Sequence, residues 1–423
     1  MKAGAALAAL AVGLALALAG CFGSGEGRPV PDPVLRRVVR RLPALRGLHF
    51  KRVPELRVVS RAEFRRIERR RAAAAVRRLS ASGRARAARL RAEARIAQQL
   101  PVLLGLLEHL PRQTAADEAT KVAAIYVGVE DRVYLISDGA PGRRHSESLL
   151  SHELTHALDQ QNLGSRKPQL SSPFSDASDA RFAVQEGSAV LVQYRYARRY
   201  LGDREPIADK LRETGQEVGS RLDHYIEDGA DFSYRRGARF VRALYRRGGV
   251  ALVNRALRHP PVTTASIFTP SRWPAHDRAL PLAGHVQPGP RWARSYSGTF
   301  GAASTHQLLA DSGPVATRLA RDWRGGSVEL WQRPLAVAQG AKPTPATCVT
   351  VVRWRWRAPI DTEIVRVLVD SQMHGGVFHA HQAGANSIWH WRGGGAALVS
   401  SGTTTTLVLA PTLATAAATA AGA

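Results

Sequence analysis

Ser151-His152-Glu153-Leu154-Thr155-His156-Ala157-Leu158-Asp159-Gln160 is the stretch on which the reading of this chain turns. Residues four apart on an α-helix stand one above the other on the same face. His152 and His156 can therefore turn two imidazoles toward one metal ion, with Glu153 beside the open coordination position. A zinc ion held this way lowers the pKa of its water, and a neighbouring carboxylate takes the proton as that water attacks a carbonyl. The local residues favour a helix. Ser146 or Ser148 can cap it, Glu147 suits the first turn, and neither Gly nor Pro interrupts it through Gln161. Leu149, Leu150, Leu154, Ala157 and Leu158 supply its apolar surface. The plain alternative is a chance match on a core helix, so a third ligand is required.

Catalytic zinc usually takes three protein ligands and one water. In one zincin class the third ligand is a His six residues after the second, but that position is Asn162 here. The other class takes a Glu from a following helix. Asp179-Ala180-Arg181-Phe182-Ala183-Val184-Gln185-Glu186-Gly187-Ser188-Ala189 repeats its apolar residues at helical spacing and offers Glu186. An ordinary surface carboxylate is the alternative for Glu186. Gly187 and Ala189 are small enough to let this helix pack close to the first. Asp179, seven residues before Glu186, shares its face and could orient a ligand His or cap the helix.

These residues together resemble a family of bacterial secreted and lipid-anchored metallopeptidases of the gluzincin type. The resemblance rests on His152-Glu153-Leu154-Thr155-His156-Ala157-Leu158, Asp179-Ala180 and Glu186-Gly187-Ser188-Ala189. It extends to Arg46-Gly47-Leu48, Val58-Val59-Ser60-Arg61, Tyr234-Arg235-Arg236-Gly237, Phe240-Val241 and Pro260-Pro261. It departs at Thr269-Pro270, where the family has His-Pro, and at Asp159-Gln160-Gln161, where it has Gln-Asp-Gln. The family implies one zinc per chain on His152, His156 and Glu186, with Glu153 as general base. For the oxyanion donor, Tyr234, His224 and Tyr194 are candidates, and Tyr234 carries the family match.

Upstream, Lys2 precedes an Ala/Leu/Val run too short for a comfortable span, and the run ends Leu18-Ala19-Gly20-Cys21. That ending resembles a lipobox, which implies lipidation of Cys21 and an extracytoplasmic protein anchored to the outer face of the cytoplasmic membrane. Cys348 then has no cysteine partner. The formal charge of +26 is mostly Arg, and no zinc-finger, RRM or helix-turn-helix pattern accompanies it, which argues against nucleic acid. The Arg/Ala-rich stretch 34–95 is expected to be largely helical and to lie against anionic lipid or wall polymer, a solvated helical face being the alternative.

Ala123 to Val127 and Arg132 to Ile136, separated by Gly128 to Asp131, predict a hairpin whose edge could pair with an extended substrate. Beyond about 285, Trp, Gly and Thr rise. Val351-Val352-Arg353-Trp354-Arg355-Trp356-Arg357 alternates, predicting a strand with one Arg-lined face and one packed face. His374, His379, His381 and His390 lack the paired helical spacing of a second metal site.

The expected fold class is α+β: a zincin-like metallopeptidase fold with a predominantly helical catalytic part, a short edge-strand hairpin and a C-terminal α+β lobe. The expected divisions are a lipoprotein signal peptide (1–20), a tether (21–33), a basic helical region (34–115), the catalytic domain (116–284), the lobe (285–410) and a flexible tail (411–423). The expected partner is a protein or peptide substrate. A metal-binding surface lipoprotein without turnover, or a basic module adhering to wall polymer, are the alternatives.

Overall fold

The computed structural model describes residues 33–77, 80–106, 124–136, 147–164, 175–202, 229, 231–282, 284, 286–373, 386–391 and 394–423. The signal peptide, Cys21, His224, His374, His379 and His381 lie outside the described residues. The chain is α+β, with a largely helical N-terminal part and a C-terminal region built on a six-stranded antiparallel sheet. It gathers into two compact units. Residues up to 88, 112–173 and 180–260 belong to the first, and 89–111, 174–179 and 261–423 to the second.

In the first unit, α1 (Pro33–Arg46) buries Leu35, Val38, Leu42 and Leu45, whose three- and four-residue spacing makes one inward stripe. Strand β1 (Glu55–Val59) follows, then α2 (Arg61–Arg77) and α3 (Ala81–Ala97). The predicted hairpin is present as β2 (Ala124–Val127) and β3 (Arg132–Ile136), antiparallel with Tyr126 opposite Val133. Strand β1 pairs with β3 in parallel, giving the order β1-β3-β2 and leaving β2 at an edge. The histidine helix is α4 (Glu147–Leu163), and the Glu186 helix is α5 (Asp176–Tyr196), which continues as a π-turn over Ala197–Leu201. A second π-turn, Phe232–Arg236, leads into α6 (Gly237–Arg258), which breaks at Gly248-Gly249 where Gly249 takes φ 59.

Leu42, Leu56, Tyr126, Val133, Leu150, Leu154, Leu158 and Tyr196 meet in a single core cluster. The basic stretch expected to be helical holds three helices, and part of it enters this core. The apolar stripe of α1 packs on α4, and β1 completes the small sheet, so both are parts of the body that carries the histidine helix.

The second unit contains β4 (Ala293–Thr299), β5 (Trp323–Gln332), β6 (Cys348–Trp356), α7 (Pro359–Met373), β7 (Asn386–Trp391), β8 (Gly394–Ser401), β9 (Thr404–Ala410) and α8 (Leu413–Ala421). The strand order is β4-β5-β6-β9-β8-β7. On the Arg-lined face of β6, Arg353 is buried and donates to the Gly284 carbonyl at 2.8 Å, and Arg355 donates to the Pro281 carbonyl at 3.1 Å. One expectation needs correction here. The stretch 411–423 is not a loose tail. Thr412 caps α8 through Thr415 N–H, and Ala416, Thr419 and Ala420 are buried, because small side chains let a helix lie close on the sheet. No helix among the described residues is long and apolar enough to cross a membrane.

Candidate metal centre

Helix α4 is held along most of its length. Leu150, Leu154, Ala157 and Leu158 are fully buried, and this fixes which way the intervening polar residues face. His152 and Glu153 are each 7% exposed, and Glu186, arriving from α5, is also 7% exposed. The three expected ligands converge. Glu186 Oε2 is 3.1 Å from His152 Nε2, Glu186 Oε1 is 3.6 Å from His156 Nε2, and the two histidine Nε2 atoms are 3.2 Å apart. A tetrahedral zinc with bonds of about 2.0–2.1 Å separates its ligand atoms by about 3.3–3.4 Å. The donor set fits such an ion in both chemistry and spacing. Among the described residues this is the group of His, Cys, Asp and Glu that could hold a metal ion; His390 stands exposed on β7 outside it.

The electrostatics follow from burial and mutual approach. Burial works to raise the Glu186 carboxyl, but the charges and N–H groups of His156 and His152 outweigh it and hold it well below the usual carboxylate range. Burial pulls His156 down, yet Glu186, Glu153 and Asp159 carry it up to about 9. Glu153 goes the other way: burial pushes its carboxyl up, against the pull of both histidines and a 2.7 Å bond to its Oε2 from the Tyr126 N–H.

Tyr234 lies in the π-turn before α6, with its ring centroid 6.1 Å from that of His152. The charge of Glu186, burial, the charge of Glu153 and a hydrogen bond to Glu186 together push its phenol well above the ordinary value. It therefore keeps its proton. Tyr194 lies on α5 beside Gln193.

Two contacts set the frame around these groups. Gly187 on α5 and Gly237 at the start of α6 face one another so closely that a Cβ on either would collide with backbone of the opposite helix, that of Gly237 or Ala183 respectively. The small residue beside Glu186 thus admits the helix that carries Tyr234, where the sequence suggested close approach to the histidine helix. Toward α4 the link is polar. Ser188 donates to Asp159 Oδ2 at 2.8 Å, and buried Arg46 donates to Asp159 Oδ1 at 2.6 Å and to Asn254 Oδ1 at 2.8 Å. Arg46 and Asp159 tie α1, α4, α5 and α6 together at one point.

His152 Nδ1 is engaged by Gln193 Oε1 at 3.1 Å. Asp179 lies three residues after Asp176 in the first turn of α5, and its carboxyl is pushed well above its ordinary value by burial and by the charge of Asp176. The signal for Gln193 was in the sequence: it is seven residues after Glu186 on the same helix face, as Asp179 is seven before. No protein-family profile, curated protein or solved structure matches the chain.

Proposed function

We propose that this chain is a zinc-dependent metallopeptidase of the gluzincin type with a zincin-like fold. His152, His156 and Glu186 hold the ion, and Glu153 is the general base. The observation that carries the reading is the convergence of three donor atoms within 4.8 Å, next to a buried carboxyl whose pKa is raised. A zinc ion bound there supplies an acidified water and polarises a carbonyl.

The chain's own residues supply the rest. Glu153, raised by burial, is a proton acceptor better matched to neutral pH than an exposed carboxylate, and proton transfer is most effective under such matching. The Tyr126 N–H fixes its Oε2. Tyr234, protonated and close to His152, is the donor for the oxyanion of a tetrahedral intermediate. Among the described residues β2 is an edge strand, and its Tyr126 N–H is taken by Glu153 on α4; an extended peptide can add along the remaining edge groups as a further strand. The Leu18-Ala19-Gly20-Cys21 ending supports anchorage through lipidated Cys21 at the outer face of the cytoplasmic membrane, with basic surface toward anionic lipid or wall polymer.

The test uses the soluble form beginning at Phe22, the Glu186→Ala variant and the Glu153→Gln variant, each assayed for zinc content and for cleavage of an unstructured protein. One zinc per chain, lost with Glu186→Ala, and cleavage abolished by Glu153→Gln are the expected results. Zinc uptake without cleavage would make the chain a metal-binding surface lipoprotein.

A further inference from the structure

The ring nitrogen of His152 that faces away from the donor group is the starting point. Gln193 Oε1 lies 3.1 Å from His152 Nδ1, and Gln193 Nε2 donates to Ser148 Oγ at 3.1 Å. Ser148 and His152 are four apart on α4, and Glu186 and Gln193 are seven apart on α5, so each pair occupies one helix face. The two helices therefore meet twice at His152, with Nε2 3.1 Å from Glu186 Oε2 and Nδ1 3.1 Å from Gln193 Oε1.

A carboxamide can turn either its oxygen or its nitrogen toward an imidazole, and the two choices demand opposite tautomers. A hydroxyl can meet either end of an amide; here the amide nitrogen donates to Ser148 Oγ and the oxygen lies toward the ring. Nδ1 must then carry the proton, and Nε2 presents a lone pair. That lone pair faces Glu186 Oε2 at 3.1 Å and His156 Nε2 at 3.2 Å, the side on which the other two donors lie, so His152 is turned as a metal ligand must be.

We propose that Gln193, locked by Ser148, is the positioning residue for the ligand His152, fixing its tautomer and ring direction for a divalent metal. The inference rests on the metal-site reading above but not on peptide hydrolysis. A neutral amide also has a different effect from the carboxylate often found behind a ligand histidine. It orients the ring without raising its basicity as a carboxylate does, so less of the ion's charge is quenched.

The experiment measures zinc affinity by chelator competition, and the visible spectrum of the cobalt-loaded protein, for the wild type, Gln193→Leu, Gln193→Glu and Ser148→Ala. Thermal unfolding of each metal-free variant checks the fold. Gln193→Leu is expected to weaken zinc about 10–100-fold and shift the cobalt bands. Ser148→Ala gives a smaller loss, and Gln193→Glu binds zinc at least as tightly as the wild type while cleaving more slowly. Wild-type affinity in both Gln193→Leu and Ser148→Ala, or equal weakening by Leu and Glu, overturns the proposal. If the wild type takes up no zinc, this inference and the metal site fall together. Zinc uptake without cleavage removes only the peptidase reading, and the affinity series still decides the role of Gln193.

Discussion

Glu153 and Glu186 are the same residue type in the same buried pocket, yet their protons are held in opposite senses. Burial raises both; only Glu186 has two imidazoles close enough to reverse the effect. Glu153→Gln should therefore leave zinc content intact and cut cleavage by about 10²–10⁴-fold. Away from the centre, burial and then the nearby charge of Asp277 push Asp176 up to about 6, although the N–H and hydroxyl of Thr264 donate to it. The unfolded carboxyl titrates near 3.9, so the folded state binds this proton more tightly and stability falls as pH rises from about 4 to 6. Asp176→Asn removes that dependence. Urea unfolding of variant and wild type should show their stability difference moving by about 2 kcal/mol in the variant's favour between pH 4 and pH 7; a difference that stays flat with pH would sink the assignment. Burial raises the Cys348 thiol to about 12. In the soluble form lacking Cys21 it should react with a thiol reagent only after denaturation. At this scale the two histidines and Glu186 were legible because helical spacing alone brings them to one face of their own helices. Gln193 was not singled out, because spacing offers two same-face positions flanking Glu186 and cannot say which meets the facing helix.

Among the elements, α4, α5 and the hairpin were readable from local pattern. Strand β1 was not: its partner is β3, more than seventy residues later, and a five-residue run amid Arg-rich helices carries no record of a parallel partner. The alternation of β6 set its arginines on one face but carried no record of what they meet, since the carbonyls that receive them belong to Gly284 and Pro281, some seventy residues earlier. Two contacts between elements make measurable claims. A methyl at Gly187 must push α5 and α6 apart, so Gly187→Ala should cost about 1–3 kcal/mol in urea unfolding. It should also reduce zinc affinity, because Glu186 moves with its helix. Arg46→Ala strands the Asp159 carboxylate where the ion pair was buried, 3% and 10% exposed on its two sides, at a cost of about 3–5 kcal/mol. Removal of both charges together should cost less than the single change.

Over the whole molecule, the net charge of +26 was the plainest sequence property and the hardest to place. Part of it is structural, since Arg37 and Arg41 pair with Glu147, and Arg46 with Asp159. Deleting 34–95 would remove α1 and β1 from the core and could not report on adhesion. Helix α3 offers a cleaner probe, because Arg84, Arg86, Arg89 and Arg95 are all exposed. Replacing these four with Gln should weaken binding of the soluble form to anionic vesicles at low salt, and the difference should fade as the Debye length shortens to about 8 Å near physiological salt. Unchanged binding would assign the excess charge to other surfaces.

The order in which the chain visits its two units has a practical outcome of its own. Of the described residues, 89–106 and 175–179 belong to the second unit from within the span of the first. No single cut therefore yields two intact pieces. A protein truncated after Pro260 would keep every proposed zinc ligand yet leave both segments without the body they fold into. The same order applies as the chain emerges during synthesis: Asp176, at the start of α5, can take its hydrogen bonds from Thr264 only after nearly ninety further residues have appeared.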